Sequence, residues 1–204
     1  MAVLTALLAT ALLMGLGLSI ALIGTTDAAL AAHDRTSRAL REASLAAAYL
    51  AVADLRGQPS WSSVLAPGAA TIVSAAPGRF LDADLAPLAP WDGSVLDLRA
   101  MTADVAADAD TGGGDPQVWR LFASGRLPLL MPDAAVAPWY LAAWVADDRA
   151  DGDGDPLADA NGILVLRAVA FGPRGARVAT RVSAMKTLVA GTARVRILTI
   201  RPWP

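Results

Sequence analysis

The first 24 residues, Met1 to Gly24, contain no charged side chain and read almost entirely as Ala, Leu, Val, Ile, Met and Gly. As a helix rising 1.5 Å per residue they would span about 36 Å, enough to cross a hydrocarbon core of about 30 Å. No proline follows until Pro59, and helix-compatible residues continue to Gly57. One apolar helix is therefore expected to run on into a polar one, with a separate domain after it. The expected division is a transmembrane segment over 1–24, a continuing amphipathic helix over 25–57 and a globular domain over 58–204.

The chain has 204 residues, which leaves room for one domain beyond the anchor. The formal net charge is −2, so there is no basic footprint for nucleic acid. Cysteine is absent, which excludes disulfides, thiolate zinc sites and cysteine catalysis. Ala29-Leu30-Ala31 resembles a signal-peptide cleavage site. The apolar run is longer than the usual 7–15 residues and has no basic segment before it, which favours an anchor over a cleaved signal.

Thr25-Thr26-Asp27 marks the change from lipid-like to water-like sequence, either as a local N-cap or within a continuous helix. From Ala28 to Arg56 the composition is helical. Asp34–Arg38 and Arg38–Glu42 are i,i+4 pairs. Leu45, Tyr49, Val52 and Arg56 line one strip, and Leu40, Ala47, Leu50 and Leu55 lie on the neighbouring arc. Such a stripe packs on a domain of its own chain or on neighbouring helices in an assembly. Gly57-Gln58-Pro59 ends the helix.

Ser60 to Pro90 is punctuated by Pro67, Pro77, Pro87 and Pro90, with a short strand expected over 70–75. A second is expected over Val95–Leu98, then a short helix from Arg99 to Asp108 and a loop over Thr111–Pro116. The second half reads as strands over Val118–Ala123, Tyr140–Ala146, Ile163–Phe171, Ala176–Ala184 and Arg194–Arg201, the last at an edge. Gly172-Pro173-Arg174-Gly175 reads as a hairpin turn. Tyr140, Ala142, Trp144 and Ala146 share one face, and Val178, Thr180 and Val182 share another. The fold class this implies is α+β: a long N-terminal helix packed on a C-terminal antiparallel meander.

Catalytic motifs are lacking. His33 is the single histidine and has no convergent partners, so it reads as a solvent- or headgroup-facing residue. Gly112-Gly113-Gly114 lacks the Lys-Ser/Thr of a phosphate loop. The expectation is a protein that is not an enzyme. The six tryptophans are spread along the chain and are expected mostly in the core.

One motif carries chemistry. Asp147, Asp148, Asp151, Asp153, Asp155 and Asp159 put six carboxylates into thirteen positions at the junction of two expected strands, with Asn161 close behind. Asp151, Asp153 and Asp155 alternate, so a tight loop can converge their oxygens, and the glycines permit a sharp bend. A hard cation such as calcium takes six to eight oxygens. The EF-hand pattern itself fails: the twelfth position from Asp151 is Gly162, where that loop carries a bidentate Glu. The alternative is a solvated acidic loop of Asp-Gly turns.

Taken together, AVLTALLATALLMGLGLSIALIGTTD, the helix AALAAHDRTSRALREASLAAAYLAVADL and the strands behind them resemble the type IV pilin superfamily, and within it the PilX-type minor pilins. The segment VADDRADGDGDPLADANGILVLRAVAFG is similar to the C-terminal half of bacterial pilus-assembly proteins of this kind. The resemblance implies a helix that first sits in the inner membrane and then packs in a filament core. It also implies an exported, outward-facing sheet domain. Partners would be other pilin or pseudopilin subunits, and the function assembly or priming of a pilus or a type II secretion pseudopilus. Thr5, Gly15, Gly17, Ala21 and Gly24 would be the membrane and assembly positions. Family members carry Glu at mature position five where this chain has Thr5, which points to a minor rather than a major subunit. Pilin sheets often carry a disulfide; a calcium loop would be the alternative brace here. The rival reading is a singly anchored periplasmic or surface binding module stabilised by calcium.

Overall fold

Without proline or a capping break, the chain from Ala2 to Arg56 forms one continuous 55-residue helix, α1, in the computed structural model. Thr25 and Thr26 do not cap a new helix. Each hydroxyl donates to the Leu22 carbonyl at 2.9 Å, a bond back into the preceding turn that leaves the helix intact. The structure describes residues 1–66, 95–109, 117–126, 139–189 and 192–203. The strand expected over 70–75 and the loop over 111–116 lie outside them.

The chain divides into two units, Met1–Ala39 and Leu40–Pro204. In the first, residues 1–35 are exposed, including every Leu, Ile and Met of the apolar run. Asp34 and Arg38 form the expected ion pair at 2.7 Å.

In the second unit, α1 buries Leu40, Ala43, Ser44, Ala47, Ala48, Ala51, Val52 and Leu55. Leu40, Ala47 and Leu55 of one expected strip pack, together with Val52 of the other. Tyr49 is 55% exposed, because the small alanines let the helix lie close to the sheet along their own line. A one-turn helix, α2 (Ser62–Leu65), follows, with Trp61 buried and its indole N–H donating to the Leu55 carbonyl at 3.1 Å.

The helix α3 runs Leu98–Ala109. Leu96 makes a single bridge where a strand over Val95–Leu98 was expected. Asp97 decides the matter: its Oδ1 accepts the backbone N–H groups of Arg99 and Ala100, both at 2.9 Å, and so starts the helix at Leu98.

Five strands follow: β1 Arg120–Arg126, β2 Tyr140–Asp147, β3 Ile163–Phe171, β4 Arg177–Val189 and β5 Thr192–Trp203. They form one antiparallel sheet in the order β1-β2-β3-β4-β5, so each strand pairs with its sequence neighbour. This is the expected α+β meander behind a long N-terminal helix. The β3–β4 turn is a short 3-10 segment, Pro173–Gly175, closed by a Gly172 N–H bond to the Ala176 carbonyl at 2.7 Å.

Two bulges interrupt the period-two alternation within strands. One lies between Leu121 and Ala123 in β1 and turns both Phe122 and Ala123 toward the α1 side. The other lies between Ile197 and Thr199 in β5, opposite Ser183/Ala184, and absorbs the consecutive apolar pair Ile197-Leu198.

The sheet is covered on both faces. On one, Leu141, Ala143, Val145, Leu164, Leu166, Ala168, Val182 and Ala184 pack with α1 and α2. On the other, Trp144, Tyr140, Val165, Val169 and Phe171 pack with Leu98 and Val105 of α3. All eight residues of β2 are buried as a result. The indole N–H of Trp144 donates to Thr102 Oγ1 of α3 at 2.8 Å, so the buried polar tip of the ring is satisfied.

Candidate metal centre

The acidic loop joins β2 to β3, so its two ends are fixed by paired strands. Gly152, Gly154 and Gly162 have φ near +75°. At Gly162 the requirement is doubled: an added Cβ would lie 2.7 Å from the Lys186 carbonyl oxygen. The close approach lets Lys186 N–H donate to the Gly162 carbonyl at 2.7 Å and ties the loop to β4.

Seven residues were expected as ligands, and they sort into two groups. Asp148 spends both oxygens inside the loop, accepting Ala150 N–H at 3.1 Å and Asn161 Nδ2 at 2.7 Å. Asp155 Oδ1 accepts Leu157 N–H at 3.0 Å. Asp159 Oδ1 accepts two backbone donors, Gly162 at 2.7 Å and Ile163 at 3.1 Å. Asn161 Oδ1 accepts Ile163 N–H at 2.7 Å. These four residues hold the loop in shape.

Asp147, Asp151 and Asp153 are the ones that converge, with one carboxylate oxygen from each within 4.8 Å of the others. Asp147 is buried, Asp151 half-buried and Asp153 exposed, so the cluster has a closed floor and an open side. Asp151 Oδ2 accepts Ala160 N–H at 2.8 Å, and Asp153 Oδ1 accepts Asp155 N–H at 2.9 Å, so each is held in place through one oxygen. Asp147 Oδ1 is buried with no hydrogen-bond partner among the described residues. A buried carboxylate with an unpaired oxygen is costly and either takes a proton or meets a cation. Burial pushes Asp147 up to about 7; the Asp148 N–H opposes this, and the charges of Asp151, Asp148 and Asp159 add to it. Asp159 is also raised, first by burial and then by Asp151 and Asp148, against the Gly162 and Ile163 N–H groups. The triad Asp147, Asp151 and Asp153 can hold a metal ion.

Three supports come from far away in sequence. Ser62 Oγ accepts Asp159 N–H at 3.1 Å and donates to the Asp159 carbonyl at 3.4 Å. Gln117 Nε2 donates to the Asp147 carbonyl at 2.7 Å. Lys186 Nζ donates to the carbonyls of Gln58 and Pro59 at 2.9 and 2.8 Å, beside the turn that leaves α1. No local pattern marks Ser62 or Gln117; the separations are 97 and 30 residues.

The other expected positions, Thr5, Gly15, Gly17, Ala21 and Gly24, all lie exposed along α1 in the first unit. Added Cβ atoms at Gly15, Gly17 and Gly24 would meet nothing within 4 Å. All five hydroxyls of the first 26 residues bond back to helix carbonyls: Thr5 to Ala2, Thr10 to Leu7, Ser19 to Gly15, and Thr25 and Thr26 to Leu22, each at 2.9 Å. The segment thus carries no orphan side-chain polar group, as hydrocarbon requires. The helix is long and apolar enough to cross a membrane once, as a span or a signal anchor, and its most apolar window is entirely unburied. His33 is exposed on the same helix. Comparison with protein-family models, curated proteins and solved structures finds no match to the chain.

Proposed function

We propose that this chain is a structural subunit of the minor-pilin kind, inserted in the inner membrane and taking part in assembling or priming a type IV pilus or a related type II secretion pseudopilus. One observation carries the reading: a single unbroken helix whose apolar first half is wholly exposed and whose second half packs on an antiparallel sheet from Leu40 onward. An exposed apolar surface of this size needs lipid or protein around it. A helix that serves in both needs its hydroxyls satisfied internally and small residues where partners approach, and Ser19, Gly15, Gly17 and Ala21 have these properties. In this reading, Met1–Gly24 passes from lipid into a bundle of like helices, and the exported sheet domain lies outside it.

A second reading, a lone membrane-anchored module stabilised by calcium and lacking an assembly partner, draws on the acidic loop. The experiment that separates them is the mass of the mature N-terminus from native cells together with fractionation. A processed, methylated terminus and recovery in sheared surface filaments support the subunit. An unmethylated anchor that stays with the membrane and crosslinks to no pilin supports the lone module and overturns the proposal. Gly17→Arg places a charge in the span at a cost of roughly 3 kcal/mol and is expected to abolish insertion or assembly.

A further inference from the structure

We infer that Asp147, Asp151 and Asp153 form a binding site for one calcium ion, and that filling it fastens the β2–β3 loop to the chain that leaves α1. The inference stands independently of the assembly role, since it concerns the folded domain alone.

Two independent features point to the site. The first is the convergence of three carboxylate oxygens within 4.8 Å. Calcium–oxygen bonds of about 2.3–2.6 Å place two oxygens on opposite sides of the ion roughly 4.6–5.2 Å apart, so separations within 4.8 Å are of the size that oxygens sharing one ion have. The second is Asp147 Oδ1. The residue is 4% exposed and this oxygen has no hydrogen-bond partner among the described residues, although the loop around it satisfies the oxygens of its neighbours with backbone N–H groups. Buried acceptors in native proteins are nearly always paired, and a cation is the partner that three anionic oxygens share.

The structure also explains why calcium fits better than magnesium. Asp151 and Asp153 are each fixed through one oxygen, so their other oxygens sit where the turns put them. Calcium tolerates such irregular placement and accepts water for its remaining ligands on the open side. Magnesium demands a near-ideal octahedron at about 2.1 Å. Asp148 and Asp155, engaged in turns of their own, lie outside the converging group.

Binding has a consequence beyond the loop. Ser62 holds Asp159 through two hydrogen bonds, and Lys186, bonded to Gly162, holds the Gln58 and Pro59 carbonyls. Ordering the loop therefore orders the segment that connects α1 to α2.

The test uses the full chain in detergent, stripped with EGTA and titrated with calcium or magnesium chloride. Calorimetry is expected to give one calcium per chain. At a hundredfold excess over Kd the melting temperature is expected to rise by about 5 °C or more. Amide exchange at Ser62 and Asp159 is expected to slow. Asp151→Asn and Asp153→Asn alter exposed or half-exposed residues and are expected to remain folded and lose the calcium increment, while Asp155→Asn keeps it. No calcium-dependent shift in the parent chain, an equal shift with magnesium, or a shift that survives Asp151→Asn and Asp153→Asn together would overturn the inference.

Discussion

Ser44 and Thr180 share a hydrogen bond of 2.7 Å between their hydroxyls at the centre of the interface between α1 and the sheet. Both are buried, and they are 136 residues apart in sequence. The Ser44 hydroxyl also lies 2.9 Å from the Arg41 carbonyl, to which it donates. The Thr180 hydroxyl then donates to Ser44, so one short chain of bonds runs from helix backbone to β4.

Removing one partner leaves the other stranded. Thr180→Val is expected to destabilise the domain by about 1–3 kcal/mol, and Ser44→Ala by a similar amount, while the double substitution costs less than the sum. Denaturant midpoints of the four chains measure the coupling. Strict additivity would mean that the pair contributes nothing to the docking of α1.

Gly162 admits no side chain. Its φ is +77°, and a Cβ would stand 2.7 Å from a backbone oxygen that cannot swing away, because Lys186 in β4 is paired with Val195 of β5. Gly162→Ala is expected to cost more than the ~1 kcal/mol of a strained φ alone and to loosen the Lys186–Gly162 bond. The measurement is thermal stability together with amide exchange at Lys186. By contrast, Gly154→Ala has open space around its Cβ and is expected to carry only the conformational penalty.

Much of this architecture is legible in the sequence, for identifiable reasons. Ile163–Phe171 has no breaker and turn residues on each side, so its ends are marked. The long helix follows from the 58 residues that precede the first proline, and its candidate membrane span from 24 uncharged ones. The second cover over the sheet is less visible. In β2, Leu141 and Val145 face one way and Tyr140 and Trp144 the other, so a strand apolar on both faces gives no hint of which helix lies where. The acidic loop is plain in the sequence, but its division of labour is not. Which aspartates face inward depends on Asx turns at Asp148, Asp153 and Asp155 and on Ser62 arriving from 97 residues away.

A polar contact stands among the many apolar ones that cover the far face. Trp144 is fully buried, and its N–H reaches Thr102 Oγ1. Thr102 in turn donates to the Leu98 carbonyl at 2.7 Å. Thr102→Val is expected to cost about 1–3 kcal/mol, because the indole N–H is left buried and unpaired. In a Trp144→Phe background the same substitution is expected to cost far less. Urea midpoints of the cycle test this, and an undiminished cost in that background would assign the effect to α3 alone.

The metal-free domain is expected to lose stability as pH rises from about 4 to 7. Asp147 is pushed up to about 7 in the folded chain by burial first, against an ordinary value of 3.8. Between these values the folded state holds the proton and the unfolded state has released it. The unfolded state therefore binds fewer protons, and stability falls with pH at up to ~1.4 kcal/mol per unit. Below 3.8 both states are protonated, and above about 7 both are ionised, so the slope vanishes at each end. Asp159, raised in the same direction, adds to the trend. Asp147→Asn removes the buried charge and gives Asp151 and Asp153 an amide donor. It is expected to flatten the slope and raise metal-free stability near pH 7. Melting curves in EGTA across this range, for the parent and the variant, measure both effects. A parent profile that rises with pH would show that Asp147 is ionised and satisfied in the metal-free fold.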